Sequence, residues 1–242
     1  EQGEKRVENI AKDLKVSSAE IYRCLAFAEK VRDNSEFYHT VTKLQLSWHK
    51  LVNEYLYQKQ HERKMLPSPK LPKGKYNIIY ADPPWTYYAG GYKNQSQHYD
   101  TMSIEEICNL PVKDLAADNC ILFLWVTFPI LDQCFKVIES WGFTYSTVGF
   151  TWVKANKNKK GFFFGLGNWT RSNTELCLIA TKGSIERKDA SISQIIYEPI
   201  QEHSKKPDIV REKIIQLVGE LPRIELFARQ KTKGWEVWGN EV

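Results

Sequence analysis

The chain has 242 residues, of which 42% are hydrophobic and 13% aromatic, so it can bury a core and is not disordered by composition. This length accommodates one α/β domain and a small appendage. The net charge of +5 is compatible with a nucleic-acid partner but does not by itself indicate one. No apolar stretch is long enough to span a bilayer, and no signal peptide is visible.

The five cysteines are scattered and form no C-x-x-C pair. An odd and scattered set argues for reduced thiols in a cytoplasmic protein, with neither a disulfide framework nor a metal site. The first residue is Glu1 rather than Met, so we expect a processed or trimmed fragment.

Residues 1–66 are predicted to be helical. Apolar residues recur at helical spacing over 7–14, and Ser17 or Ser18 is a suitable N-cap for a second helix that carries Tyr22 and Arg23. A third helix is predicted over 41–64. The order of the first two helices is the outline of a helix-turn-helix, which would contact DNA through the second helix. The alternative is a helical hairpin packed on the main domain or on another subunit, and these apolar helices could supply the surface of a homodimer.

A proline-rich linker at 67–74 precedes a short, β-branched run at 77–81 that predicts a buried strand. The motif Asp-Pro-Pro-Trp follows at 82–85. Since proline cannot continue a sheet ladder, Asp82 is predicted to lie at the carboxyl end of a strand, where ligands bind in open α/β sheets. The alternative is an ordinary strand followed by a proline turn, with Asp82 solvated.

This motif has the chemistry that methylation of an exocyclic amine requires. The lone pair of adenine N6 is delocalised into the ring and is a poor nucleophile. The Asp82 carboxylate and the Pro83 carbonyl can accept its two N–H bonds, and Trp85 can offer a face on which a flipped base stacks. Positioning and electrostatics then account for most of the catalysis.

After the motif, the polar stretch 86–100 is predicted to be a lid or substrate loop, with a disordered insertion as the alternative. Ser103 and Glu106 form a capping-box pattern for a helix. Further strands are predicted at 119–127, 145–153, 176–181 and 223–229, and helices at 129–141 and from Pro207, as first helical residue, to Gly219. Strands that alternate with helices favour a mainly parallel sheet with helices on both faces.

Residues 154–161 contain four lysines and two asparagines. We predict a basic, flexible loop that contacts phosphates through residues such as Lys154 and Lys157. A solvated hairpin is the alternative.

Residues 75–241 resemble the MT-A70-like adenine-N6 methyltransferases. The resemblance is carried by ADPPW at 81–85, HYDTMS at 98–103, LFLWVT at 122–127, WVK at 152–154, GNWTRSNTE at 167–175, HSKKPD at 203–208 and IELFAR with GWEVWGNE at 224–241. It implies that 75–242 form a Rossmann-like methyltransferase core that uses S-adenosylmethionine and carries a small helical N-terminal segment.

The resemblance also implies roles for individual residues. The catalytic residues are Asp82, Pro83, Pro84 and Trp85. Lys206, Phe227, Arg229, Asn240 and Glu241 match residues that hold the cofactor. Tyr99 and Trp125 match pocket residues, and Arg171 and Glu175 match positions near the flipped base, although structural packing explains these four equally well.

The helical N-terminus resembles segments attached to bacterial and phage members of the family, which favours DNA as the substrate. RNA is the alternative substrate, since the chemistry at Asp82 would be the same. A catalytically inactive subunit that only binds nucleic acid is the less favoured alternative, because the motif and Lys206 are intact.

Overall fold

The computed structural model describes residues 9–10, 12–33, 70–86, 101–165, 169–201 and 205–242. The chain divides into two compact units, Glu1–Leu66 and Pro67–Val242. The helix predicted over 41–64 and most of the loop predicted over 86–100 lie outside the described residues, as does Tyr99.

In the first unit, helix α1 spans Ser18–Asp33. Its start is capped by Ser17, whose Oγ accepts a hydrogen bond from the Glu20 amide at 3.2 Å. Helical residues at 9–10 and 12–13 precede it, and the turn between contains Lys15 at a φ of 56°. The described residues thus have the predicted order of helix, tight turn and serine-capped helix, while contact with DNA stays a prediction.

The second unit is built on a seven-stranded sheet with the order β5-β3-β4-β2-β1-β6-β7. Neighbouring strands run parallel except for β4, which is antiparallel to both β2 and β3. The predicted α/β class and the mainly parallel sheet are therefore confirmed. The strands are β1 (Tyr76–Ala81), β2 (Ala116–Val126), β3 (Thr144–Ala155), β4 (Thr174–Lys182), β5 (Ile195–Pro199), β6 (Arg223–Leu226) and β7 (Glu236–Trp238).

Helices cover both faces of this sheet. They are α2 (Ile104–Cys108), α3 (Cys134–Ser140) and α4 (Ile209–Val218). Successive β1 side chains point to opposite faces, so Ile79 packs in the layer of α2 and α3, whereas Ile78 packs in the layer of α4. Because the interior strand β1 is buried on both faces, its last four residues are a continuous apolar run.

Two strands differ from the sequence prediction. β4 is antiparallel to β3, and the described residues of the connection between them, 156–165 and 169–173, contain no helix. A parallel return requires a longer crossover, usually through a helix. β5 was not predicted from the sequence; it is an edge strand whose Ile195 and Tyr197 side chains stay exposed.

Several element ends also differ from the prediction. α4 begins after Asp208, so Pro207 lies before the N-cap rather than at the first helical position. A short 3₁₀ turn at Phe128–Ile130 precedes α3, where one helix was predicted. β6 ends at Leu226 because Phe227 adopts the left-handed region, with a φ of 61°, which turns the chain out of the sheet.

Other local predictions are confirmed. Ser103 and Glu106 form both hydrogen bonds of the capping box at α2, and Gly219 ends α4 at a φ of 89°. No helix among the described residues is long and apolar enough to cross a membrane.

Candidate active site

The candidate site lies at the carboxyl edge of the sheet, where the central strand β1 ends. β1 is paired with β2 on one side and with β6 on the other, and Ala81 is in register with Leu226. Asp82 and Phe227 therefore leave adjacent parallel strands at the same level. The chain proceeds from β1 to β2 on one side, whereas β6 pairs with β1 on the other side. The space beyond the ends of β1 and β6 is therefore a topological switch point, where ligands bind in open α/β sheets.

Asp82 belongs to a chain of alternating charges. Lys206 Nζ lies 2.9 Å from Asp82 Oδ2 and 3.1 Å from Glu175 Oε2. Lys154 Nζ then lies 2.6 Å from Glu175 Oε1. The Lys206 side chain is 7% exposed and that of Asp82 is 25% exposed, so the charges are largely withdrawn from water while Asp82 keeps an open side.

These contacts shift the acid–base properties of the three central groups. Burial raises the pKa of Asp82 above its ordinary value, and the Lys206 ammonium offsets part of that rise. Burial also acts to raise the pKa of Glu175, but the ammonium groups of Lys206 and Lys154 outweigh it and lower the value. Burial alone would lower the pKa of Lys206, yet the Asp82 and Glu175 carboxylates raise it. Lys206 is therefore held as a cation.

Sheet geometry explains how residues distant in sequence form this network. β4 runs opposite to β2, so its first residues lie at the carboxyl edge, and Leu176 is paired with Val126 at the end of β2. Glu175 precedes Leu176 and is paired with Trp152 of β3. Lys206 comes from the segment before α4, and its Nζ also lies 5.6 Å from the centre of the Trp125 ring.

The motif itself is fixed by hydrogen bonds on both sides. The Met102 amide donates to the Pro84 carbonyl at 2.7 Å, and the Thr86 amide donates to the Met102 carbonyl at 3.0 Å. The Trp85 amide donates to the Pro83 carbonyl at 2.9 Å. These contacts make the turn after Asp82 rigid, which is the property that a positioned acceptor needs.

Trp85 does not have the open face predicted from the sequence. Its indole is 4% exposed and packs in the core, and its Nε1 donates to the Trp125 carbonyl at 2.9 Å. Trp125 is itself buried and donates through Nε1 to the Tyr80 hydroxyl at 2.7 Å. A buried indole needs a partner for its N–H, and here that need ties the motif to β2. In this conformation Trp85 anchors the turn, and base stacking by Trp85 is not supported.

Four of the five predicted cofactor residues lie at the ends of β6 and β7, whereas Lys206 lies in the charge network of Asp82. The Phe227 ring lies 5.3 Å from that of Trp238, centre to centre, and the Ala228 amide donates to the Trp238 carbonyl. Arg229 Nε lies 3.8 Å from Glu241 Oε1, and Asn240 is exposed. The sequence did not indicate that Tyr80 and Trp238 contact the site. Both are large residues in strands, a pattern that predicts only packing in the core.

The predicted substrate residues are only partly brought together. Glu175 and Trp125 both contact Lys206, whereas Arg171 is exposed on the connection between β3 and β4. Lys154 lies in β3 rather than in a loop, and its ammonium is paired with Glu175. Lys157 is exposed on the turn that follows.

That turn is closed by backbone hydrogen bonds. The Asn156 amide donates to the Gly161 carbonyl at 3.1 Å, and the Lys159 amide donates to the Asn156 carbonyl at 2.8 Å. Gly161 adopts a φ of 79°, which glycine tolerates without strain. This hydrogen-bonded turn fits the alternative of a hairpin, and phosphate contact by Lys154 and Lys157 stays a prediction. Lys157, Lys159 and Lys160 are exposed.

Comparisons with known proteins agree with this architecture. The MT-A70 family model matches residues 76–241. The Type II methyltransferase M.MunI of Mycoplasma sp is 36% identical over 195 residues, covering 72% of this chain and 81% of that enzyme. The N(6)-adenosine-methyltransferase MT-A70-like of Arabidopsis thaliana is 29% identical over 172 residues, which is only 24% of its length. Mouse N(6)-adenine-specific methyltransferase METTL4 is 31% identical over 192 residues, or 39% of its length.

The match to the family model includes Asp82, the residues around it, Glu175, Lys206 and the ends of β6 and β7. The fold, the site at its carboxyl edge and the extent of this match lead to one conclusion. The chain belongs to the MT-A70 family.

Proposed function

We propose that this protein transfers a methyl group from S-adenosylmethionine to N6 of adenine in DNA. The observation that carries the proposal is the Asp82 carboxylate, held at the end of the central strand by a rigid turn and paired on one oxygen with Lys206. Asp82 Oδ1 makes no hydrogen bond to any residue that the structure describes. That oxygen is therefore suited to accept an N–H bond from the target amine.

The proposed chemistry follows from this placement. When Asp82 accepts one N–H bond of the amine, electron density returns to the nitrogen and makes it a better nucleophile. The Pro83 carbonyl already accepts the Trp85 amide, and a carbonyl has a second lone pair with which it can accept the other N–H bond. As the nitrogen bonds to the methyl group it becomes acidic, so Asp82 receives its proton without being a strong base.

The residues at the ends of β6 and β7 fit the methyl donor by their chemistry. S-adenosylmethionine supplies an electrophilic methyl group on a sulfonium centre. We infer that Asn240 and Glu241 accept or donate hydrogen bonds to its ribose, that Arg229 and Phe227 line the same pocket, and that Lys206 pairs with its carboxylate. Gly239 supports a closely packed cradle, since a Cβ added there would lie 2.3 Å from the Ala228 carbonyl oxygen.

Two observations support DNA over RNA. The Mycoplasma relative, 81% of which is covered, is named a Type II methyltransferase, while the plant relative named an adenosine methyltransferase is covered over 24% of its length. Helix α1 is also preceded by a tight turn, as in helix-turn-helix proteins. A homodimer through the N-terminal helices, and a cytoplasmic location, remain parts of the proposal.

The test is methyl transfer from labelled S-adenosylmethionine to matched DNA and RNA, each single- and double-stranded. We expect label in DNA, with N6-methyladenine as the modified nucleoside. Transfer to RNA alone would replace DNA by RNA in the proposal. Cofactor binding without transfer to any of the four would point to a missing partner or a narrow sequence requirement. The absence of both transfer and cofactor binding would favour the inactive-subunit alternative.

A further inference from the structure

The connection between β3 and β4, residues 156–173, exposes large aromatic side chains. Trp169 is 99% exposed and Phe164 is 65% exposed. Phe162 differs from them, because its ring packs against Tyr197 with the ring centres 6.0 Å apart. Fully exposed indoles are rare on folded surfaces, since burying one is strongly favourable. Trp169 and Phe164 are therefore two open rings on one connection, and together they are here named the aromatic surface.

The positive charge around the aromatic surface indicates which kind of partner would bind there. Residues 156–173 contain four cations, Lys157, Lys159, Lys160 and Arg171, and no Asp or Glu. Lys159 is paired with Glu198 at 2.9 Å. Lys157, Lys160 and Arg171 make no ion pair with any residue that the structure describes. The cations of this segment complement the phosphates of a nucleic acid, and its open aromatic rings can stack on unpaired bases. The partner that fits both features is a nucleic-acid strand with unpaired bases.

The position of the connection links it to Asp82. It leaves β3 directly after Lys154 and re-enters β4 just before Glu175, the two residues whose ion pair continues through Lys206 to Asp82. Gly165 lies so close to Ser172 that a Cβ would be 2.5 Å from the Ser172 carbonyl oxygen. Phe164 and Arg171, the neighbours of Gly165 and Ser172 in the sequence, therefore lie near each other. Trp169 lies six positions before Glu175, a chain length of at most roughly 20 Å, which corresponds to about six stacked nucleotides of one strand.

We propose that Trp169 and Phe164 stack on unpaired bases of the DNA strand that flank the target adenine, while Lys157 and Lys160 hold the adjacent phosphates. This inference rests on the proposed function, because it takes the adenine to be bound at Asp82. Extrusion of a base weakens the stacking of its neighbours, and aromatic side chains can replace the lost stacking.

The test measures binding of single-stranded DNA oligonucleotides to the full chain as a function of salt. Trp169→Ala is expected to weaken binding by roughly 5- to 100-fold, the range for loss of one stacked base, and to leave the salt slope unchanged. On an oligonucleotide with abasic sites flanking the adenine, the same variant is expected to bind as the wild type does. Trp169→Phe should restore most of the affinity, and Phe164→Ala should act in the same direction as Trp169→Ala.

The lysines are expected to act differently. The slope of log affinity against log salt is negative, and replacing both Lys157 and Lys160 by Gln should reduce its magnitude by about 1.4 on single strands, because each phosphate contact contributes about 0.7. Tyr145→Ala is the matched control, since this ring is 40% exposed at the amino end of β3, the opposite edge of the sheet. It should change neither affinity nor slope.

Three results would overturn the inference. Wild-type affinity in Trp169→Ala would show that no base stacks there. An equal loss on the abasic oligonucleotide would show that the effect does not involve bases. A change in oligomeric state by sedimentation, with DNA affinity unchanged, would identify the aromatic surface as a protein interface. In each case methyl transfer by the wild type still decides the proposed function independently.

Discussion

Lys206 is the residue on which the electrostatics of the site depend. Its ammonium lies between two carboxylates, Asp82 at 2.9 Å and Glu175 at 3.1 Å. Removing water from a carboxylate raises its pKa, and an adjacent cation lowers it. For Asp82 the effect of burial is larger, so the pKa remains above the ordinary value despite the cation. Glu175 also raises the pKa of Asp82 by direct repulsion.

These opposing effects predict opposite shifts in two variants. Asp82 can take the proton of the amine only as a carboxylate, since the protonated acid has lost the charge that this step requires. Its pKa therefore sets the acidic limb of the rate profile. Lys206→Met removes the cation and should raise the pKa of Asp82, moving that limb to higher pH. Glu175→Gln removes a negative charge and should lower the pKa, moving the limb to lower pH. The measurement is kcat/KM for DNA against pH at saturating cofactor.

Lys113→Met serves as the control, because Lys113 is exposed before β2 at the opposite edge of the sheet. Its acidic limb should coincide with that of the wild type. If Lys206→Met and Glu175→Gln move the limb in the same direction, the network does not set the pKa of Asp82.

At the scale of elements, α4 is joined to the sheet by a buried ion pair. The Arg211 guanidinium donates from Nε and Nη2 to the two oxygens of Glu225 in β6, at 2.7 and 2.6 Å. Arg211 also lies 5.5 Å from the centre of the Tyr80 ring in β1. The segment that carries Lys206 precedes α4 directly. The ion pair therefore fixes the helix that follows Lys206 against the strand that precedes Phe227.

Replacing one member of the Arg211–Glu225 pair should lower the free energy of unfolding. Glu225→Leu leaves the Arg211 charge buried with only the more exposed Asp208 as a partner, and loss of one member of a buried pair typically lowers the free energy of unfolding by about 3–5 kcal/mol. Chemical denaturation would measure this loss. The double variant Arg211→Met, Glu225→Leu should recover most of it, since no unpaired charge remains. A double variant as unstable as the single one would contradict the explanation.

At the scale of the whole molecule, the sheet and one part of the site could be predicted from the sequence. The apolar run before Asp82 predicts a central strand because only a strand buried on both faces lacks polar alternation. Asp82, Glu175 and Lys206 could be selected through family resemblance. Their contact could not, because Glu175 reaches Asp82 only through the antiparallel orientation of β4, which depends on how the connection of 156–173 returns.

Burial explains the other differences from prediction. Trp85 stands beside a reactive carboxylate in the sequence, yet its N–H is bonded to the Trp125 carbonyl inside the core. Lys154 stands at the start of a lysine-rich stretch, yet it pairs with Glu175. Trp169 shows the opposite case, an indole that the fold leaves in solvent. Residue type alone does not separate these cases, since each depends on partners distant in the sequence.

The role of Asp82 is tested by single-turnover methyl transfer to DNA by Asp82→Asn, with cofactor binding measured on the same preparation. Asparagine keeps the shape of the side chain but lacks the charge that accepts the amine proton. We predict cofactor affinity near that of the wild type and a rate lower by at least about 100-fold. Asp114→Asn, an exposed acid at the opposite edge, should retain the wild-type rate. A rate for Asp82→Asn within tenfold of the wild type, which is about 1.4 kcal/mol of barrier, would contradict the central role of Asp82.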